Sequence, residues 1–173
     1  MKRVKTTDMV ITAVFAALIC VFSLITIPTP FGVPVTLQTF IIALTGFTLG
    51  SMRGVVSVFV YIAVGMVGLP VFSGFQGGLN AIFGITGGFI VGFVPFVCLC
   101  GLKGRNLLIK LLFSVIGLCI CHFVGIMWVA FISGNIPSAF LTASAPFLIK
   151  DIISIVLALL ISKKIVIIIQ KFN

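Results

Sequence analysis

The sequence predicts an all-α integral membrane protein, one domain over residues 1–173, with six transmembrane helices in a single bundle and both termini cytoplasmic. Three observations carry this reading. Of the 173 residues 61% are hydrophobic and 8% charged, whereas soluble domains average about half and a quarter. The few charges bound long apolar runs, 44 residues over 9–52, 49 over 54–102 and 39 over 111–149, and a spanning helix needs about 20. Finally, on a six-helix path that starts inside, Lys2, Arg3, Lys5, Arg53, Lys103, Arg105, Lys110, Lys163, Lys164 and Lys171 all fall on the inner side. Only Lys150 falls toward the outside, which is the positive-inside pattern.

Turn residues delimit each span. The first runs Met9–Ile27 and ends at Pro28 and Pro30; it follows a basic start but is longer than the apolar region of a signal peptide, about 7–15 residues. The second covers Val35–Leu49, with Pro34 at its start, and the third Gly54–Leu69, stopped by Pro70. The fourth is expected over Leu79–Leu102, the fifth over Leu107–Ile132, and the sixth over Phe147–Ile161. Gly84, Gly88 and Gly92 recur every four residues and lay a bare stripe along the fourth, where another backbone can approach. Ala13 and Ala17 place a second small-residue stripe on the inner half of the first, suited either to packing within the bundle or to docking another membrane protein.

Several function classes drop out. The net charge of +9 is distributed as a topology signal, not as the clustered basic face that a nucleic-acid partner requires. No phosphate-binding G-x-x-x-x-G-K-[ST] occurs. Cys98 with Cys100 and Cys119 with Cys121 are i,i+2 pairs that point to opposite sides of a helix, so they chelate no metal, and five cysteines inside spans make no disulfide framework. No cofactor is expected.

What remains polar is concentrated at one depth. At about 1.5 Å per residue, Asp151 stands roughly 18 Å above Lys163, His122 roughly 18 Å and Trp128 roughly 27 Å above Lys110, and Gln38 roughly 22 Å above Arg53. Asn80 reaches the outer interface. These side chains share the outer half of the membrane and suggest a pocket opening outward. An ionised Asp at the helix centre costs about 2.5–3.5 kcal/mol, which makes Asp151 a candidate ligand-binding group; the alternative is a protonated acid in a structural subunit. His122 reads as an interhelical hydrogen-bonder, Trp128 equally as a belt residue, and Gln38 and Asn80 as either ligand contacts or helix glue. An intramembrane acid–base enzyme built on Asp151 and His122 is disfavoured, because no Ser or Cys nucleophile is evidently matched to them.

Longer motifs narrow the field. VPVTLQTF at Val33–Phe40, the Arg53–Gly54 step, YIAVGMVGLPVFSGFQGGLNAIFGITGGFIVGF at Tyr61–Phe93, then His122, Gly125, Trp128 and Lys150–Asp151, resemble the BioY family of biotin-specific substrate-binding S components of energy-coupling factor (ECF) transporters. The likeness covers essentially the whole chain. It implies a six-helix bundle in the plasma membrane of a bacterial cell, which takes biotin from outside and works with a membrane coupling protein and two ATPase subunits. It further implies that Asn80 and Asp151 meet the ureido ring and that Ala13 and Ala17 dock the coupling protein. Phe72, Phe75 and Trp128 are expected to wall the thioether ring and valeryl chain. The family pattern often carries a base one turn after the Asp, and here that position is Ser154. The ligand carboxylate is then left either to Lys150 on the neighbouring face or to water at the outer mouth.

Overall fold

The computed structural model describes residues 5–30, 33–102 and 106–171; the inner-side charges assigned to Lys2, Arg3, Lys103 and Arg105 lie outside the described residues. The described chain forms eight helices and a short hairpin: α1 (Thr6–Leu24), β1 (Thr26–Ile27), β2 (Val35–Thr36), α2 (Gln38–Leu49), α3 (Ser51–Met66), α4 (Leu79–Phe83), α5 (Gly87–Cys100), α6 (Leu107–Ser133), α7 (Ile136–Ala143) and α8 (Leu148–Gln170). By length and composition α1, α6 and α8 are apolar enough to cross a membrane, and α2, α3 and α5 are shorter apolar helices.

Three expectations need correction. The fourth predicted span is not one helix. It breaks between α4 and α5 at Gly84, whose backbone is extended at ψ −177° and whose carbonyl accepts both the Gly87 amide at 3.1 Å and the Trp128 indole at 2.9 Å. Between the fifth and sixth spans, where no element is predicted, lies a further helix. Asn135 caps α7 by accepting a 3.0 Å bond from the Ser138 amide, and Pro137 sits in the first turn, where its missing N–H costs nothing. The first span also ends early, at Leu24, since Thr26 and Ile27 pair with Thr36 and Val35 in an antiparallel hairpin.

Side-chain and backbone contacts identify the two ends of the bundle. At one end the Ser51 amide donates to the Gly101 carbonyl, the Ser51 hydroxyl to Cys98 O, and the Arg53 guanidinium pairs with Asp8. Phe47, Lys110 and Lys163 border one cleft there. The starts of α1, α3 and α6 and the close of α2, α5 and α8 therefore lie together, with Lys5, Lys110, Lys163 and Lys164 on these segments. The opposite end holds the hairpin, α4, α7 and the start of α8. Gly50 joins α2 to α3 in one residue at φ +80°, a left-handed conformation that favours glycine.

Packing inverts the soluble pattern. Phe131, Val67 and Met52 are among many exposed large apolar residues, whereas Ser23, Thr45, Ser57, Ser114, Ser144, Ser154 and Ser162 are buried. Interior hydroxyls return to backbone carbonyls: Ser57 crosses from α3 to Thr12 O at 2.9 Å, and Thr45 reaches Ile41 O at 2.7 Å. Such a surface is matched to hydrocarbon, where burial of polar groups and close packing hold helices together. The tightest apposition joins α5 to α6: a Cβ at Gly92 would lie 2.9 Å from Cys121 Cα, and one at Gly88 would overlap the Trp128 Cβ. Two of the three stripe glycines thus serve helix contact, and Gly84 serves the break.

Candidate functional site

A cavity of about 60 Å³ lies inside the bundle at the end opposite the lysines, and a vestibule of about 440 Å³ adjoins it. Pro34, Ser73 and Thr86 line both, so inner and outer spaces share one wall. Phe89, Ile90, Phe93 and Phe96 of α5, with Leu118 of α6 and Phe147, supply the apolar surface. Thr36, Gln38, Thr39, His122, Lys150 and Asp151 supply the polar one.

The polar wall is organised around Asp151, 4% exposed in the first turn of α8. Its Oδ2 lies 3.1 Å from His122 Nε2 on α6, and its Oδ1 is ion-paired with the Lys150 ammonium. A carboxylate oxygen has two lone pairs, so Oδ1 retains acceptor capacity beside that contact. Helical angles alone set Lys150 a hundred degrees around the helix from Asp151 and leave the acid uncompensated. The long lysine stem closes that gap, and Nζ also lies within 3.0 Å of the Thr36 carbonyl. Asp151 is therefore compensated from within the chain.

A polar relay continues from there. The Thr36 hydroxyl donates to Gln38 Oε1 at 3.1 Å, and Gln38 Nε2 donates to the Tyr61 hydroxyl at 2.8 Å. Tyr61 is fully buried, and the Phe72 ring stands edge-on to it at 5.3 Å between centroids. Gln38 thus joins α2 to α3 while presenting a side to the cavity.

The structure brings together only part of the expected set. Gln38, Lys150 and Asp151 line the inner cavity, and Asn80 lines the vestibule with Gln76. Phe72, Phe75, Trp128 and Ser154 do not line either space. Phe72 is buried behind the wall against Gly65, and Ser154 is buried on α8 away from the lining. Phe75 sits 68% exposed at φ +57° on the loop between α3 and α4, a costly conformation for a bulky residue. Trp128 buttresses the helix break instead of facing the cavity. The walls are made by Phe89, Phe93 and Phe96, which sequence reasoning passed over although their i, i+4, i+7 spacing marks one face of a helix.

A Ser-His-Asp chain also emerges, because Ser144 Oγ lies 2.8 Å from His122 Nδ1. The sequence offers no evident match, because Ser144 follows α7, an element it does not predict. Ser144 is 1% exposed and is not among the cavity-lining residues. A hydroxyl donating to Nδ1 leaves the Nε2–H tautomer to donate to Asp151, so the serine orients the ring.

Fold and site together define a multi-pass helical membrane protein with a recess, part polar and part aromatic, at one end of its bundle. Comparison with known proteins gives that class a family. The BioY family model matches residues 1–171, and the chain belongs to the BioY family. It is 36% identical over 161 residues to a protein of Pyrococcus horikoshii described as a probable biotin transporter, covering 92% of this chain and 96% of that one. A biotin transporter of Thermotoga maritima is 36% identical over 152 residues, covering 86% and 89%. Among solved structures, the crystal structure of the S-component for biotin from an ECF-type ABC transporter superposes with a TM-score of 0.85 at 25% identity, covering 94% of each chain.

Proposed function

We propose that this chain is the substrate-binding subunit of a biotin uptake transporter, crossing the plasma membrane of a bacterial cell six times with both termini cytoplasmic. It captures biotin from outside and delivers it through an ATP-driven ECF module made of a membrane coupling protein and two ATPase subunits. The relatives are transporters, and Ser144 lies off the cavity, so the acid–base enzyme reading is not retained.

The observation that carries the reading is the pairing of Asp151 with Lys150 on the wall of an aromatic recess. A cyclic urea presents two N–H donors beside one carbonyl acceptor. The carboxylate accepts from an N–H while the ammonium donates to the carbonyl, so one ion pair complements one heterocycle. Phe89, Phe93 and Phe96 then face the thioether ring. Because Lys150 is held at the ureido end, the ligand carboxylate is directed outward into the vestibule, beside Asn80 and water. Ser154 is buried off the lining, and this reading gives it no ligand contact. The glycine-rich loop Ser73–Leu79, which contributes Ser73, Gly74 and Gln76 to the vestibule, serves as the lid.

Sidedness follows from charge. The segments carrying Lys5, Arg53, Lys110, Lys163 and Lys164 gather at one end, and a bilayer retains such an end on the cytoplasmic side. The recess at the opposite end then opens outward. Ala13 and Ala17 are exposed on α1 while Phe15, Ala16 and Ile19 are buried. This geometry supports a role for the stripe in docking the coupling protein.

Equilibrium binding of radiolabelled biotin to the purified protein in detergent tests the reading. Saturable binding is expected; a protein that stays monodisperse yet takes up no biotin rules it out.

A further inference from the structure

A second cleft lies at the lysine-bearing end, far from the recess. It encloses about 380 Å³ between α2, α6 and α8, and is lined by Phe47, Leu107, Lys110, Leu159, Ser162 and Lys163. Phe47 and Leu159 give it a buried apolar floor, and the two lysines stand on facing helices at its rim.

The charge arithmetic of the chain leaves those lysines without an acidic side chain to pair with. Eleven Lys and Arg face two acidic side chains. Asp8 is taken by Arg53, and Asp151 by Lys150 and His122. Ser162 offers no negative charge and spends its hydroxyl on the Leu159 carbonyl at 2.8 Å. At the same place α6, 27 residues long, begins with no side-chain cap from Asn106, so its first amides and positive dipole end add to the potential.

From these lysines over an apolar floor we infer that this cleft binds the phosphodiester headgroup of an anionic phospholipid, with an acyl chain lying along Phe47 and Leu159. A lipid supplies both parts at once: the phosphate meets Lys110 and Lys163, and the hydrocarbon covers the floor. A free anion satisfies only the rim, and a zwitterionic lipid brings a cation to a site that already has two. The inference does not depend on what occupies the recess.

Fluorescent phosphatidylglycerol is titrated into the purified protein in non-ionic detergent, with phosphatidylcholine as control. Wild type is expected to favour phosphatidylglycerol, and the Lys110→Gln, Lys163→Gln double variant to lose roughly thirtyfold in affinity, from about fivefold per lysine. Lys163→Gln alone is expected to lose about fivefold, which keeps the test valid should the double variant unfold. Lys164→Gln removes the same charge one residue away, off the lining, and is expected to leave affinity nearly unchanged. Equal loss in Lys164→Gln, equal binding of phosphatidylcholine, or displacement of the lipid by millimolar inorganic phosphate each overturns the proposal. So does an effect of the lysine variants on assembly with the coupling module but none on lipid.

Discussion

Asp151 and Lys150 share one buried ion pair, and each has a separable role. Asp151→Asn removes the charged acceptor for a ureido N–H, so biotin affinity should fall about tenfold to a hundredfold, the worth of a charged hydrogen bond of about 1.5–3 kcal/mol. Asn80→Ala should weaken binding within the same range. Expression and elution profile should stay normal; a folding defect with unchanged affinity would favour a purely structural role for the acid. Lys150→Met instead leaves a buried carboxylate without its cation, held by His122 and Thr39. Breaking one side of such a pair costs about 3–5 kcal/mol, so a lower midpoint in thermal unfolding is expected alongside weaker binding. In the proposed orientation the ligand carboxylate points outward, so biotinamide should bind within a fewfold of biotin in competition assays. A strong preference for the free acid would place a cation on that carboxylate and count against the assigned orientation. At this scale the acid is legible from depth arithmetic. Its partner is not, since a lysine stem reaches positions that helical angles alone do not indicate.

Individual elements show how far periodicity reaches. The Gly88 and Gly92 stripe does what its spacing suggests, bringing α5 against α6 near Trp128 and Cys121. Gly92→Val forces side-chain atoms into Cys121 and should destabilise the protein by about 1–3 kcal/mol, the usual cost of overpacking; an unshifted unfolding midpoint would show that the helices separate freely. The break between α4 and α5 has no such signature, and the indole that braces it arrives from α6, 44 positions along the chain. The aromatic row Phe89, Phe93 and Phe96 is visible in the sequence, but an apolar stripe reads alike whether it meets a neighbouring helix or a ligand. Phe72 and Phe75 lie in the most distinctive motif, yet the turn around Gly74 sends one ring into the core and the other out of the fold.

Across the whole molecule, the recess and the exposed small-residue stripe of α1 stand apart, so capture and coupling should separate by mutation. Replacing Ala13 and Ala17 with Trp should leave biotin binding intact and abolish co-purification with the coupling protein; undiminished co-purification would move the docking surface elsewhere on the bundle. The sequence by itself determined the helical membrane class and the segregation of bases to one end. Those follow from composition and from a fixed rise per residue, which act along a single helix. Only the tertiary structure decided that Lys150 neutralises Asp151, that Ser144 orients His122, that Ala13 and Ala17 face outward, and which aromatic rings line the recess. These depend on which helix lies beside which, and contacts between distant segments have no expression in local periodicity.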